Sequence, residues 1–287
     1  MTMERWGRWI GIVFQIELLL LLLAGGFAAW QLDDRMLHAT VVVGAAAWLV
    51  AATTLLGHDT SLMRQWRGTL QFAACWLIFP LFKAIRTVYI THPADAALLA
   101  LDRRLWGGAS LPEHILGWEH AWLSEILSAG YFLFYFVVLL PVIGFSMRRR
   151  SREAKAFFIG LTLMYLFGFV GYVLVPAGGP YLAFPQTFPY PPQGGPITAF
   201  LVSVVKNGIT GMDVFPSLHA GIGTYVLGFF ALGGYRRIAV VLAPVVTALV
   251  IATVYLRYHY GIDVFCGLTL AAAVLTFVQR YRKECSV

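Results

Sequence analysis

The stretch IGIVFQIELLLLLLAGGFAAW, residues 10–30, decides the fold. It is apolar almost without a break, and its length matches the roughly 20 residues that carry a helix across a bilayer. The h-region of a secretory signal is about 7–15 residues, so this longer run reads as an uncleaved first span. Similar runs recur along all 287 residues; 59% of the chain is hydrophobic and only 12% is charged. Soluble domains carry about 25% charged residues. The chain therefore reads as all-α: one integral membrane domain over 1–287, a polytopic transmembrane helix bundle of about eight spans. The spans are expected at 8–30, 37–57, 67–90, 121–146, 156–177, 214–234, 238–257 and 259–281.

Eight spans put both termini on one side of the membrane. Of the 21 basic residues, 14 fall on that side, among them Arg5, Arg8, Arg64 and Arg236, and Arg148, Arg149, Arg150 and Arg152 of RRRSREAK. The positive-inside rule then makes both termini cytoplasmic. It also accounts for the net charge of +7 without a nucleic-acid partner. Arginine outnumbers lysine 17 to 4 and alanine is abundant, a bias that fits a GC-rich bacterial genome and a bacterial plasma membrane. Cys75, Cys266 and Cys285 have no metal-ligand spacing and read as free thiols. No acidic cluster resembles a divalent-metal cage, so neither metal nor cofactor is expected.

Two long segments fall on the outer side. In residues 91–120, the piece 94–106 has apolar residues at helical spacing and reads as an interfacial amphipathic helix. Residues 177–213 are dense in proline and glycine and read as irregular chain, a lid or entrance.

That second segment leads into DVFPSLHAG, residues 213–221, and downstream lies TVYLRYHYGIDVFCG, residues 253–267. The span 214–234 runs inward from the outer face, which puts His219 near its outer end. The chain returns over 238–257, and His259 opens the next inward span at the same depth. His259 and Asp263 are four apart, a spacing that on a helix shares one face and lets the carboxylate orient the imidazole. Ionisable groups inside a membrane are costly and mark function. Two imidazoles and a carboxylate at one level fit phosphoryl transfer, with His259 attacking phosphorus, His219 protonating the departing oxygen and Asp263 orienting His259. Ser217 and the N–H groups around Leu218 would sit at a helix N-terminus, which favours phosphate oxygens. Ala220, Gly221 and Gly223 leave room for a head group.

Other polar residues read more plainly. Arg257 faces away from His259 on a regular helix, but a turn at 257–259 would bring it round; an interfacial, snorkelling arginine is the alternative. Lys83 and Arg86 read as interfacial anchors or phosphate ligands. Gln15, Glu17 and Glu125 suit interhelical hydrogen bonds, and Glu125 alternatively a hold on a basic residue of the site or on an acceptor hydroxyl. Asp102, beside Arg103 and Arg104, reads as part of a surface charge cluster, and Tyr131, Phe134, Tyr135 and Phe136 as packing and lipid contact.

PSLH at 216–219 and ATVYLRYHYGID at 252–263 resemble the type 2 phosphatidic acid phosphatase superfamily, whose motifs are Pro-Ser-Gly-His and a later Ser-Arg, five residues, His, three residues, Asp. Here Leu218 replaces the glycine, and Ala252 and Thr253 stand where Ser-Arg would be. The family's first motif, lysine, six residues, Arg-Pro, is not evident; VPAGGPY, 175–181, occupies its place and offers Gly179 and Tyr181 as substrate contacts. FPSLHAG, HYGID and PADAALLALDRRLWGG look closer to the inositol phosphorylceramide synthase-like branch. The resemblance covers most of 80–270. It implies a six-helix phosphatase-type core preceded by extra N-terminal helices, a catalytic part over roughly 80–281, and a phosphohistidine at His259. It also implies a lipid phosphoester substrate, phospholipid or sphingolipid, and an acceptor that is often an alcohol. Arg257, Lys83, Arg86 and Lys206 are candidates to replace the missing arginine.

The expected function is thus a membrane phosphotransferase working at the outer side. A lipid phosphatase with water as acceptor is the alternative, and a lipid-binding or transport protein the alternative of another class. Head group, acyl chains and oligomeric state are not written in these motifs.

Overall fold

A computed structural model describes residues 3–56, 61–148 and 152–284. Among these residues all regular structure is helical. The α-helices are α1 Met3–Leu32, α2 Arg35–Leu56, α3 Ser61–Ile78, α4 Leu81–Tyr89, α5 Asp95–Leu105, α6 Leu111–Ile115 and α7 Ala121–Phe132. There follow α8 Phe134–Met147, α9 Arg152–Leu174, α10 Pro180–Ala183, α11 Pro196–Gly208, α12 Leu218–Leu232, α13 Arg236–Tyr255 and α14 Gly261–Glu284.

Six stretches are long and apolar enough to cross a membrane: α1, α2, α7 with α8, α9, α13 and α14. α3 and α4 supply a seventh as a pair bent by 43°, and α12, a shorter apolar helix of 15 residues, stands at the eighth expected place. The protein is an all-α, multi-pass integral membrane protein. The expected span 67–90 is broken where Pro80 precedes α4; proline has no N–H to continue the helical ladder. The span expected from residue 214 begins at Leu218, because Ser217 takes the extended backbone of an N-cap. Residue 57, Arg149, Arg150 and Cys285 lie outside the described residues, while Cys75 and Cys266 are free thiols.

The segment 177–213 is not irregular throughout. It contains α10 and the 13-residue helix α11, which has proline at its first position. Proline there costs no hydrogen bond. The Glu125 carboxylate accepts from the N–H groups of Gly195 (2.9 Å), Ile197 (3.1 Å) and Thr198 (2.7 Å). Glu125 thus makes the expected interhelical hydrogen bond, as the cap of α11, and does not hold a basic residue.

The chain divides into two compact units. The first comprises Met1–Thr91, Leu139–Phe167 and Ala273–Val287. Within it, glycines let helices approach closely: a Cβ on Gly25 would lie 2.6 Å from Leu81, and one on Gly68 would lie 2.2 Å from Phe158. Trp76 Nε1 donates to the Tyr165 hydroxyl at 2.8 Å. The hydrogen bond expected of Gln15 and Glu17 is not made by their side chains. Trp48 Nε1 bonds the backbone carbonyl of Gln15 instead, and the Gln15 carboxamide and Glu17 Oε2 are buried without a partner.

The second unit comprises His92–Val138 and Gly168–Ala272. Its core includes Leu98 and Leu99 of α5 with Ala177, Phe188, Val214 and Tyr260. Asp102 is fully buried, not part of a surface cluster. It accepts from Trp106 Nε1 (3.2 Å) and from the N–H groups of Leu111 (3.0 Å), Gly261 (3.1 Å) and Ile262 (2.8 Å). A carboxylate on α5 thereby fixes the start of α14, where it satisfies helix-end donors that would otherwise be orphaned.

Candidate active site

Both histidines stand on backbone that the sequence shapes for close approach. Ser217 caps α12, its Oγ accepting from the Ala220 N–H at 3.4 Å, and its own N–H donates to the Asp263 carbonyl at 3.0 Å. A Cβ on Gly267 would lie 2.3 Å from the Ser217 carbonyl oxygen, so glycine is what lets α14 touch the start of α12. His219 follows in the first turn of α12. His259 lies in the turn between α13 and α14. The Thr253 carbonyl closes that turn by accepting from Tyr258 (3.1 Å) and His259 (3.0 Å), and Arg257 adopts a left-handed φ of 64°. For a non-glycine residue that conformation costs about 1–2 kcal/mol.

The result is a pair of imidazoles with ring centroids 6.1 Å apart and planes inclined at 58°. His259 is 2% exposed and Asp263 is fully buried. Asp263 Oδ2 caps α14 by accepting from the Tyr260 N–H at 2.9 Å and lies 3.7 Å from His259 Nδ1. The expected imidazole–carboxylate hydrogen bond is therefore not formed: His259 precedes the helix instead of sharing its face, and the backbone holds the oxygen. Asp263 Oδ1 and the Nδ1 atoms of both histidines are buried without a partner. Burial holds the His259 imidazole down to about 4, with the Asp213 charge and a backbone contact to Val214 acting in the opposite direction.

The left-handed turn brings Arg257 inward. It is 2% exposed, its Nη2 is ion-paired to Glu119, and its Nε and Nη1 are buried without an acceptor. Unpaired buried donors on a cation are expensive. A phosphate oxygen would satisfy such a donor with a charge-assisted hydrogen bond.

A family comparison agrees with this geometry: the model of the PAP2 superfamily matches residues 96–277. The chain belongs to the PAP2 superfamily. No curated protein and no solved structure matches it. As a PAP2 superfamily member the protein is an enzyme of lipid phosphatase or phosphotransferase type, acting on a phosphoester.

The remaining candidates of this PAP2 chain divide. Gly179 belongs to the second unit with φ 90°, packed so that a Cβ would lie 2.3 Å from the Tyr258 carbonyl; its N–H is taken by Asp95 at 2.8 Å. The Tyr181 N–H donates to the Arg257 carbonyl at 3.2 Å, and its ring packs on Tyr190 and Tyr258. These two residues support the Arg257 turn. Lys206 is exposed in the last turn of α11, where a cation complements the helix dipole. Lys83 and Arg86 belong to the first unit, on α4; Lys83 is exposed and Arg86 bonds the Ile90 carbonyl at 2.7 Å. Among the described residues no group of three or more His, Cys, Asp or Glu is placed to hold a metal.

The PAP2 site also contains residues that the sequence patterns did not place there. Tyr131 stacks on the His219 ring at 4.7 Å and Phe134 packs on it at 4.5 Å, so both do more than face lipid. Asp95 is buried and accepts from Gly178 (3.0 Å), Gly179 (2.8 Å) and the Tyr260 hydroxyl (3.0 Å), tying the 177–181 loop to the His259 turn. Glu119 and Asp213 complete the charged set. Asp213 opens the DVFPSLHAG stretch and was legible there as a polar residue; Glu119 carried no signal.

Proposed function

We propose that the protein transfers a phosphoryl-containing group from a lipid phosphoester to an alcohol through a phosphohistidine at His259. The observation that carries this reading is the 6.1 Å separation of the His219 and His259 rings; Arg257, two residues before His259, is buried with two unoccupied donors. The Nε2 of His259 attacks phosphorus; the N–P bond forms as the bond to the lipid oxygen breaks, and that oxygen takes a proton from His219. The acceptor hydroxyl then gives its proton to His219 as its oxygen attacks phosphorus and the N–P bond breaks. Arg257, held by Glu119 through one nitrogen, binds a phosphate oxygen through a remaining donor and neutralises its charge. Asp263 stabilises the His259 ring as it gains positive charge. The departures from the plain phosphatase motifs at Leu218, Ala252 and Thr253 support a place in the inositol phosphorylceramide synthase-like branch and an alcohol acceptor.

The site lies where α12 and α14 begin and α13 ends, one end of three apolar helices. With 14 of 21 basic residues assigned to the opposite side, this end is the outer face of a bacterial plasma membrane, and both termini are cytoplasmic. The test is purified protein in vesicles with a phospholipid donor, with and without lipid or polyol alcohols, followed by mass spectrometry of the lipids. A new phosphodiester lipid, absent in His259→Asn, is expected. Steady release of the phosphorylated head group to water without an alcohol makes the enzyme a phosphatase, and an unaltered lipid pool in every arm contradicts the chemistry.

A further inference from the structure

We propose that Tyr131 and Phe134 are positioning residues for His219: their rings hold its imidazole at the angle from which it protonates the departing lipid oxygen. This rests on the phosphohistidine reading above and names what aims its acid.

An imidazole that moves a proton with one nitrogen is commonly oriented by a hydrogen bond at the other. His219 lacks that bond: its Nδ1 is buried without a partner. Rotation of the ring about its last side-chain bond is soft, since a terminal sp³–sp² torsion has broad minima. Contact with neighbouring rings is what restricts it here. The Tyr131 ring stacks on the imidazole with centroids 4.7 Å apart and planes at 26°, and the Phe134 ring lies at 4.5 Å and 50°. Both aromatic residues are buried. They are three apart across the junction of α7 and α8, where Leu133 keeps helical backbone, so the two rings share one face. His219 itself stays partly exposed, so the rings cover it without sealing it.

The backbone on each side is anchored separately. A Cβ on Gly168 would lie 2.5 Å from Leu218, which seats the start of α12 against α9. A Cβ on Gly130 would lie 2.8 Å from Ala248, which seats α7 against α13. Tyr131 therefore meets the site from a fixed frame, and its ring also packs at 4.9 Å on Tyr258, the residue before His259. One side chain thus touches both the imidazole of His219 and the turn that carries His259. Leucine in place of either ring leaves the glycine contacts intact and frees the imidazole to turn. The consequence is specific to the proton: a lipid alkoxide departs only as it is protonated, whereas p-nitrophenolate departs without help from an acid.

The test presents the full-length protein with vesicles of phosphatidic acid, phosphatidylcholine, phosphatidylethanolamine, phosphatidylglycerol or phosphatidylinositol. The lipid consumed is then paired with the p-nitrophenyl ester of the same phosphorylated head group. Release of diacylglycerol and of p-nitrophenol is followed within the first turnover, before the acceptor step. Tyr131→Leu and Phe134→Leu are expected to slow diacylglycerol release by about 10–100-fold, the scale of a small misplacement of a reacting group. They are expected to slow p-nitrophenol release by less than about threefold, because that leaving group needs no acid. Tyr131→Phe keeps the ring and is expected to restore the lipid rate, and His219→Asn to show the same contrast more strongly. Phe134→Leu carries the comparison where Tyr131→Leu does not fold. Equal slowing on both esters, slowing on neither, or unfolding of both leucine variants overturns the positioning role. A wild-type protein that consumes none of these esters contradicts the phosphoester reading, and with it the acid to be positioned.

Discussion

Arg257 is ion-paired to Glu119 through one nitrogen, and its other two nitrogens are buried and unpartnered. Glu119 thus holds the guanidinium in place without exhausting its donors. Lysine cannot pair with a carboxylate and a phosphate in the same fork geometry, so Arg257→Lys is expected to lower kcat/KM by about 10–100-fold with little change in thermal stability. Glu119→Gln removes a hydrogen bond to a charged group and is expected to cost roughly 1.5–3 kcal/mol of stability. Steady-state kinetics and thermal unfolding of both variants check the division of roles; an Arg257→Lys enzyme with wild-type kcat/KM contradicts it.

The contact of α14 with the start of α12 depends on Gly267. Its added Cβ would lie 2.3 Å from a backbone oxygen, which cannot move aside as a side-chain tip does. Gly267→Ala is expected to separate His219 from His259 and abolish turnover. Gly208→Ala, where nothing lies within 4 Å, is expected to be neutral or stabilising by up to about 1 kcal/mol. Activity and unfolding temperature of the two variants make the comparison.

Asp102 joins α5 to α14 through two backbone N–H groups and holds a third at Leu111. Asp102→Ala orphans these buried donors at about 1–3 kcal/mol each. The expected outcome is a large fall in stability with faster hydrogen exchange at 261–263. Protection there equal to the wild type would show that α14 starts correctly without the carboxylate.

The α5–α6 connection has a built-in acid sensitivity. The Arg103 hydrogen bond holds the Glu113 carboxyl down to about 2, against an ordinary 4.5. A depressed carboxyl contributes stability that is fully present above pH 4.5 and is lost as pH falls through about 2. Arg103 is 43% exposed, so solvent and salt reduce the contribution. Hydrogen exchange over 103–118 is expected to quicken between pH 4 and pH 2, and Glu113→Gln to remove that dependence. An unchanged acid profile in Glu113→Gln refutes the assignment.

The spans were legible because a membrane helix declares itself by a local run, and the shared depth of His219 and His259 followed from counting those runs. What needs a distant partner was not legible. The sequence offers no sign that Glu119 meets Arg257, or that Asp102 is buried under α14 instead of standing in solvent beside Arg103. Helix α11 was hidden because its first turn is Gly195 and Pro196, which read as a breaker until Glu125 caps it from another helix. The spacing of His259 and Asp263 was read correctly as a proximity and wrongly as one helical face, since α14 starts only at Gly261.

The central claim is tested most directly by trapping the covalent intermediate. Protein mixed with phospholipid labelled in its phosphate is quenched within one turnover, digested and sequenced by mass spectrometry. The account predicts an acid-labile, base-stable label on the peptide containing His259, absent in His259→Asn and discharged by an alcohol acceptor. Label on any other residue, or lipid turnover that persists at the wild-type rate in His259→Asn, contradicts it.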